Sequence, residues 1–155
     1  QRTKLIYIPT LSNCALLTRN PALSNKAGDW KGGSYKQTER YETDLTVADP
    51  FTGEVKKTVH IPYPNYSGAL TTGGGLVFTG FTDGTFAAYD DTTMEQLWKI
   101  NVGTGFNAPP MTFEVDGKQY IAILSGLSPI ARSKHLLIPE LKEQRNQTML
   151  FVFGL

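Results

Sequence analysis

The chain has almost no cysteine and very little histidine. Cys14 is the single cysteine in 155 residues, so no internal disulfide forms and no cysteine-based metal cluster exists. The two histidines, His60 and His135, share no close carboxylate or cysteine pattern, which argues against a metal or catalytic pair. An excess of one charge is missing too. The formal net charge is +1, which gives no basis for binding nucleic acid or an acidic membrane surface. No apolar run approaches the ~18 residues of a spanning helix. The start, Gln-Arg-Thr-Lys, shows neither an initiator methionine nor a signal-peptide pattern, so either the start was removed or this is a piece of a longer protein; the repeat below favours the piece. Gly73-Gly74-Gly75 and Gly103-Thr104-Gly105 lack the strand-to-helix context and the Lys-Ser/Thr of a phosphate loop. They read as sheet-connecting turns.

What is present is a run of short β-prone segments. Apolar residues make up 40% and charged residues 19%, as expected for a packed globular chain rather than a disordered one. The densest patterning runs from Gly75 to Gly126. Strands are expected at Leu76 to Gly80, Thr85 to Tyr89, Gln96 to Val102, Pro110 to Val115 and Gln119 to Leu124. Asp83-Gly84 and Asp116-Gly117 break this run and read as type I′ hairpin turns, because both residue types tolerate positive φ. Upstream, Leu5 to Pro9, Leu45 to Ala48 and Glu54 to Ile61 read as strands. Leu11 to Tyr41 is polar and without sustained period, and reads as a long loop with Trp30 as a plug over the core. Leu127 to Ala131 also reads as loop. Pro139 to Gln147 suits a short helix, and Met149 to Gly154 a closing strand. The tripeptide Asn146-Gln147-Thr148 carries the glycosylation acceptor pattern, and Asn65-Tyr66-Ser67 has the same spacing within a proline-broken turn.

A repeat underlies this spacing. Val47-x-Asp49-x-x-Thr52-Gly53-x-x-x-Lys57 lines up with Ala88-x-Asp90-x-x-Thr93-Met94-x-x-x-Trp98. The register is 41 positions, within the ~40–45 of a four-stranded propeller blade. The aspartate and threonine are turn-making residues, their side chains bonding turn amides. Trp98 is assigned to packing between blades. The fold class read from this pattern is all-β, a partial β-propeller with blade repeats over about 45–126. A single blade leaves its faces bare, so the chain is expected to be one part of a larger ring.

These residues resemble the pyrroloquinoline-quinone (PQQ) dependent alcohol dehydrogenases. The Ala88-x-Asp90-x-x-Thr93…Trp98-Lys99 segment is similar to the family's tryptophan-docking repeat. Leu76 to Gly84, Gly103 to Phe113, Asp116 to Ala122 and Leu150 to Leu155 follow the family's C-terminal pattern in order. Leu5 to Pro9 and Asn13-Cys14 are similar to an earlier family segment. The resemblance implies the C-terminal blades of an eight-bladed quinoprotein propeller. It implies PQQ near the axis with a calcium or lanthanide ion beside it, an alcohol or polyol substrate, a cytochrome electron acceptor and a periplasmic location. The family's catalytic aspartate, metal ligands and vicinal disulfide have no matching positions here, so the piece by itself is expected to be inactive and to need its missing N-terminal blades. Two places near the cofactor do match. Tyr66 stands where the family commonly has a tryptophan facing the quinone. Pro129 and Ile130 replace a Gly-Trp pair that contacts it. No Cys-x-x-Cys-His motif is present for covalent haem. The alternative is a non-catalytic scaffold propeller of the same repeat superfamily, of the outer-membrane assembly type.

Overall fold

In the computed structural model, residues 2–19 and 33–154 are described; Trp30 lies outside them. Among the described residues, ten strands form three antiparallel sheets. The first contains β1 (Ile6–Arg19), β2 (Gly33–Ala48) and β3 (Val55–His60). The middle sheet runs in sequence order through β4 (Ala69–Thr71), β5 (Leu76–Gly80), β6 (Thr85–Asp90) and β7 (Gln96–Asn101). The third is ordered β10-β9-β8, from β8 (Met111–Val115), β9 (Lys118–Leu124) and β10 (Leu150–Gly154).

The middle sheet is covered on both faces. Val77, Ala87 and Tyr89 point into a core shared with Leu45 and Val47 of β2. Their neighbours Phe78, Phe86 and Ala88 point the other way, into a core shared with Ile121 and Ile123 of β9. Alternate side chains along β5 and β6 thus serve two cores, which is why these strands read as unbroken apolar runs rather than as a period of two. Trp98 packs edge-on against Phe86 and Phe153 at 6.1 and 5.6 Å, joining the middle sheet to β10. The outer sheets carry exposed apolar residues, including Met111, Val115, Leu150 and Val152.

The repeated turns match bond for bond. Asp49 Oδ1 accepts from the amides of Phe51 and Thr52, at 2.8 and 3.1 Å. Asp90 Oδ1 accepts from Thr92 and Thr93, at 2.9 and 2.7 Å. Thr52 and Thr93 each take the amide two residues on. Gly53 has φ 73° and Met94 φ 57°, so the turn demands the left-handed region in both copies. A Cβ at Gly53 would meet no atom within 4 Å, whereas the Met94 side chain is buried in the core between the first two sheets.

The two amide bonds hold each aspartate below the usual carboxylate range. Their stabilisation is therefore complete above the unfolded value of about 4 and is lost as pH falls through the depressed folded values. Carboxyl-carbon titration should give midpoints for Asp49 and Asp90 below those of ordinary aspartates. Asp90→Asn keeps the acceptor and should flatten the acid dependence of unfolding; midpoints at the ordinary value contradict this account.

Several expectations change. The stretch from Leu11 to Tyr41 is not a long loop over its described residues. β1 continues to Arg19 and β2 starts at Gly33, paired from Ile6↔Ala48 to Arg19↔Gly33 with a bulge after Asn13. β3 pairs only with Asp44 to Ala48, so the far part of the hairpin is a two-stranded arm without a third strand. It has little to bury, and Leu16 and Leu17 are exposed; backbone pairing without a buried face leaves no apolar period to read. β4 is not among the expected strands, since three residues give no pattern. A helix, α1 (Pro129–His135), replaces the expected loop, and the expected helix further on is only a 3-10 turn, Pro139–Leu141. Asp116 and Gly117 both have positive φ, as a type I′ turn needs. At Asp83-Gly84 only Gly84 does. Its amide bonds Phe81 O while the Phe81 amide bonds Thr85 O, a longer turn closed by glycine and fastened by Asp83 to Thr85.

Candidate functional site

Three connections meet at one end of the sheets. The first, between β3 and β4, carries Tyr66. Its neighbours are locked: Asn65 Nδ2 donates to Thr79 Oγ1 at 2.6 Å, and Asn65 Oδ1 accepts the Ser67 amide at 2.9 Å. The Thr82 amide bonds Pro64 O at 3.1 Å. Tyr66 itself is half-buried, with its hydroxyl shielded from solvent. The second connection, between β7 and β8, passes Gly105 to Pro110. Ser67 Oγ donates to Ala108 O at 2.8 Å, tying it to the Tyr66 turn.

The third connection leaves β9 and enters α1. Ser128 caps this helix, accepting the Ala131 amide at 3.3 Å, and Pro129 takes the first helical position, where a missing N–H costs nothing. The same hydroxyl donates to Asn107 Oδ1 at 3.4 Å. Asn107 and Ala108 thus bridge the Tyr66 turn to the start of α1. Pro129 and Ile130 lie at that corner, with Ile130 72% exposed.

The β1–β2 arm contacts the first and third of these connections. The Tyr41 hydroxyl donates to Pro62 O at 3.3 Å, and burial raises its pKa, with Glu140 adding to the shift. A narrow crevice there is lined by Asn13, Tyr41, Pro64 and Lys134 among others, and an adjoining recess of about 210 Å³ by Ser12, Asn13, Cys14, Tyr41 and Glu42. Asn13 and Tyr41 line both spaces. Sequence reasoning does not place either residue here, because the pairing of the arm leaves no local pattern to read. A further recess, about 540 Å³, lies elsewhere, between Leu97 and Trp98 of β7 and Val152 to Gly154 of β10.

The remaining sequence candidates are structural. His60 Nδ1 lies 3.2 Å from Asp44 on an exposed strand face. His135 is buried inside the α1 segment. Both amide atoms of Asn146 are bonded to the Leu127 backbone, at 2.7 and 3.1 Å, and Asn65 is buried, so neither glycosylation tripeptide presents a free amide. Among the described residues no group of three or more His, Cys, Asp or Glu side chains is arranged for a metal ion, and no helix is long and apolar enough to cross a membrane. The residues that do gather here are an aromatic ring, a proline and an exposed isoleucine beside a rigid polar bridge. They fit one flank of a flat organic ring; they do not fit a cation.

The three packed sheets, with four strands in the middle one, define a sector of a β-propeller. The chain belongs to the PQQ-dependent glucose/ethanol/alcohol dehydrogenase β-propeller domain family, whose model matches residues 17–121. It is 36% identical over 129 residues to a quinoprotein ethanol dehydrogenase of Pseudomonas putida, a match covering 81% of this chain and 21% of that protein. The chain therefore spans about a fifth of the length of that relative. Among solved structures it is similar to a europium-containing methanol dehydrogenase, with TM-score 0.80 and 27% identity over 99% of this chain and 31% of the other. The quinohemoprotein alcohol dehydrogenase of Comamonas testosteroni is similar too, with TM-score 0.81 and 26% identity, over 99% of this chain and 24% of the other.

Proposed function

We propose that this chain is a sector of a PQQ-dependent dehydrogenase that oxidises an alcohol or polyol, and that it forms one flank of the quinone site. The observation that carries this reading is the Asn107–Ala108 bridge, which fixes the Tyr66 turn and the Pro129–Ile130 corner at one end of the sheets. Tyr66 offers an aromatic ring held between locked neighbours, and Pro129 and Ile130 offer apolar surface that keeps water from the quinone edge. When bound, the quinone supplies the acceptor for a hydride from the alcohol. The base, and the ligands for calcium or a lanthanide, belong to parts of the ring beyond these residues. The exposed faces of the outer sheets are where its missing blades pack, and the recess between β7 and β10 receives a fourth strand for the third sheet. Transfer of electrons to a cytochrome and a periplasmic location complete the proposal, both on the family resemblance. The three relatives named above are all dehydrogenases, which favours this reading over a scaffold.

The test uses the complete protein. Stacking on an aromatic ring is worth about 1–3 kcal/mol by analogy with nucleobases. Tyr66→Ala should therefore weaken PQQ binding roughly 10- to 100-fold, while Tyr66→Phe should keep most of it. Equal PQQ affinity in Tyr66→Ala and the parent removes Tyr66 from the site. Absence of PQQ-dependent dye reduction with primary alcohols, polyols and sugars removes the dehydrogenase reading.

A further inference from the structure

The segment between β9 and β10 is closed by a buried histidine that faces an arginine. His135 is fully buried. Arg132 Nη1 sits 2.8 Å from its Nδ1 and also donates to Gln144 O at 3.0 Å. A guanidinium only donates, so Nδ1 is the acceptor and carries no proton. The proton is on Nε2, which donates to Gln144 Oε1 at 2.6 Å. Gln144 Nε2 then donates to Asp83 O, in the β5–β6 turn, at 2.5 Å. One imidazole thus links α1 to the turn after Leu141, and through it to the middle sheet. Its partners are matched to the neutral ring alone. A second ring proton removes the acceptor that Arg132 uses and sets an imidazolium against a guanidinium.

We propose that neutral His135 is the positioning residue that holds α1, and with it Pro129 and Ile130, against the sheet, and that acid releases this segment. The link to the cofactor flank rests on the function proposed above; the latch itself does not. The charged groups facing His135 are Arg132 on its own helix and Asp83 on the β5–β6 turn. Burial and Arg132 disfavour its charged form, while the Gln144 bond and Asp83 oppose them, and the pKa falls below the ordinary histidine value. A lowered folded pKa means that the unfolded or opened state binds the proton more readily. The latch is then at full strength above the ordinary value of about 6.5 and weakens as pH falls from there toward the depressed one.

The experiment is hydrogen exchange with mass-spectrometric readout on the complete protein without PQQ, from pH 7.5 to 4.5, corrected for intrinsic exchange. Peptides spanning 127–147 should open at least 10-fold more at the acid end, relative to 85–101 in the same molecule. His135→Gln places an amide that cannot take up a proton where the ring was, and should abolish that pH dependence. His60→Gln should leave it intact. A flat profile in the parent, or an unchanged one in His135→Gln, overturns the latch. If His135→Gln fails to fold, the parent profile decides alone: opening must be flat above about pH 6.5 and rise as pH falls below it. PQQ retention, measured separately across the same pH range, distinguishes the two proposals. Acid opening without loss of PQQ leaves the latch standing and removes Pro129 and Ile130 from the cofactor site.

Discussion

Phe86→Ala is expected to open the middle sheet from the third and to cost about 3–5 kcal/mol, the range for deleting a fully buried phenylalanine. Phe86 is fully buried, and its ring meets four others: Phe78 at 5.8 Å, Trp98 at 6.1 Å, Phe106 at 5.9 Å and Phe153 at 5.4 Å. Each such pair adds about 0.5–1.5 kcal/mol beyond burial, and these rings come from both sheets and the connection between them. The cavity has little to collapse into it, because the other face of β6 serves a separate core. Native-state hydrogen exchange should show β5 and β6 amides opening roughly 10²- to 10⁴-fold more, with β10 affected as strongly as β6. Phe86→Leu retains most of the volume and should cost less than half as much. An alanine effect confined to β6, with β10 unchanged, contradicts the view of Phe86 as the joint between sheets.

Gly105→Ala is expected to strain the connection between β7 and β8. A Cβ there falls 2.4 Å from Thr82 O and 2.8 Å from a Leu127 methyl carbon. The first obstacle is backbone, so relief requires the connection itself to move. That movement strains the bond from the Gly126 amide to Gly105 O at 2.7 Å and the bond from Phe106 N to Phe81 O. The cost should be about 1–3 kcal/mol, as for overpacking, and Asn107 and Ala108 shift with it. The PQQ affinity of the complete protein should fall even though residue 105 lies outside the cofactor flank. Gly73→Ala is the matched control: nothing lies within 4 Å of its Cβ position and its φ is not positive. Equal behaviour of the two variants contradicts the steric argument.

The parts legible in the sequence are those in which one chemical demand repeats. Asp49 and Asp90 mark equivalent turns because each must satisfy the same two amides, and the 41-position register follows from them. The strands from Leu76 to Leu124 are legible because they are short, apolar and cut by glycine. The arm is not, since a hairpin with open faces has no buried stripe to impose a period. Helix α1 does carry a local signal: Ser128 followed by Pro129 is a cap followed by a first-turn proline. The run Glu140 to Gln144 favours helix by composition, yet Gln144 is drawn into the His135 and Asp83 contacts and only a single tight turn forms. Tyr66, Pro129 and Ile130 can be picked out one by one, on resemblance. What joins them is a pair of hydrogen bonds spanning 41 and 21 residues, and the ends of such bonds leave no mark on local sequence.

Met94 has a wider consequence. It takes a backbone conformation that suits glycine, and it sends its side chain into the core between the first two sheets. A left-handed methionine costs about 1–2 kcal/mol of backbone strain, comparable to what burying the side chain returns. The residue therefore acts as a key cut for one neighbour. Gly53, with open space around it, carries no such key. Although the two units share a turn, they are not interchangeable modules: moved to the other's place, the Met94 turn would lose its lock, and the Gly53 turn would leave a hole. The order of blades is thus written into the packing as well as into the chain connectivity, and ring-building by simple duplication of either unit would need a new residue at this one position.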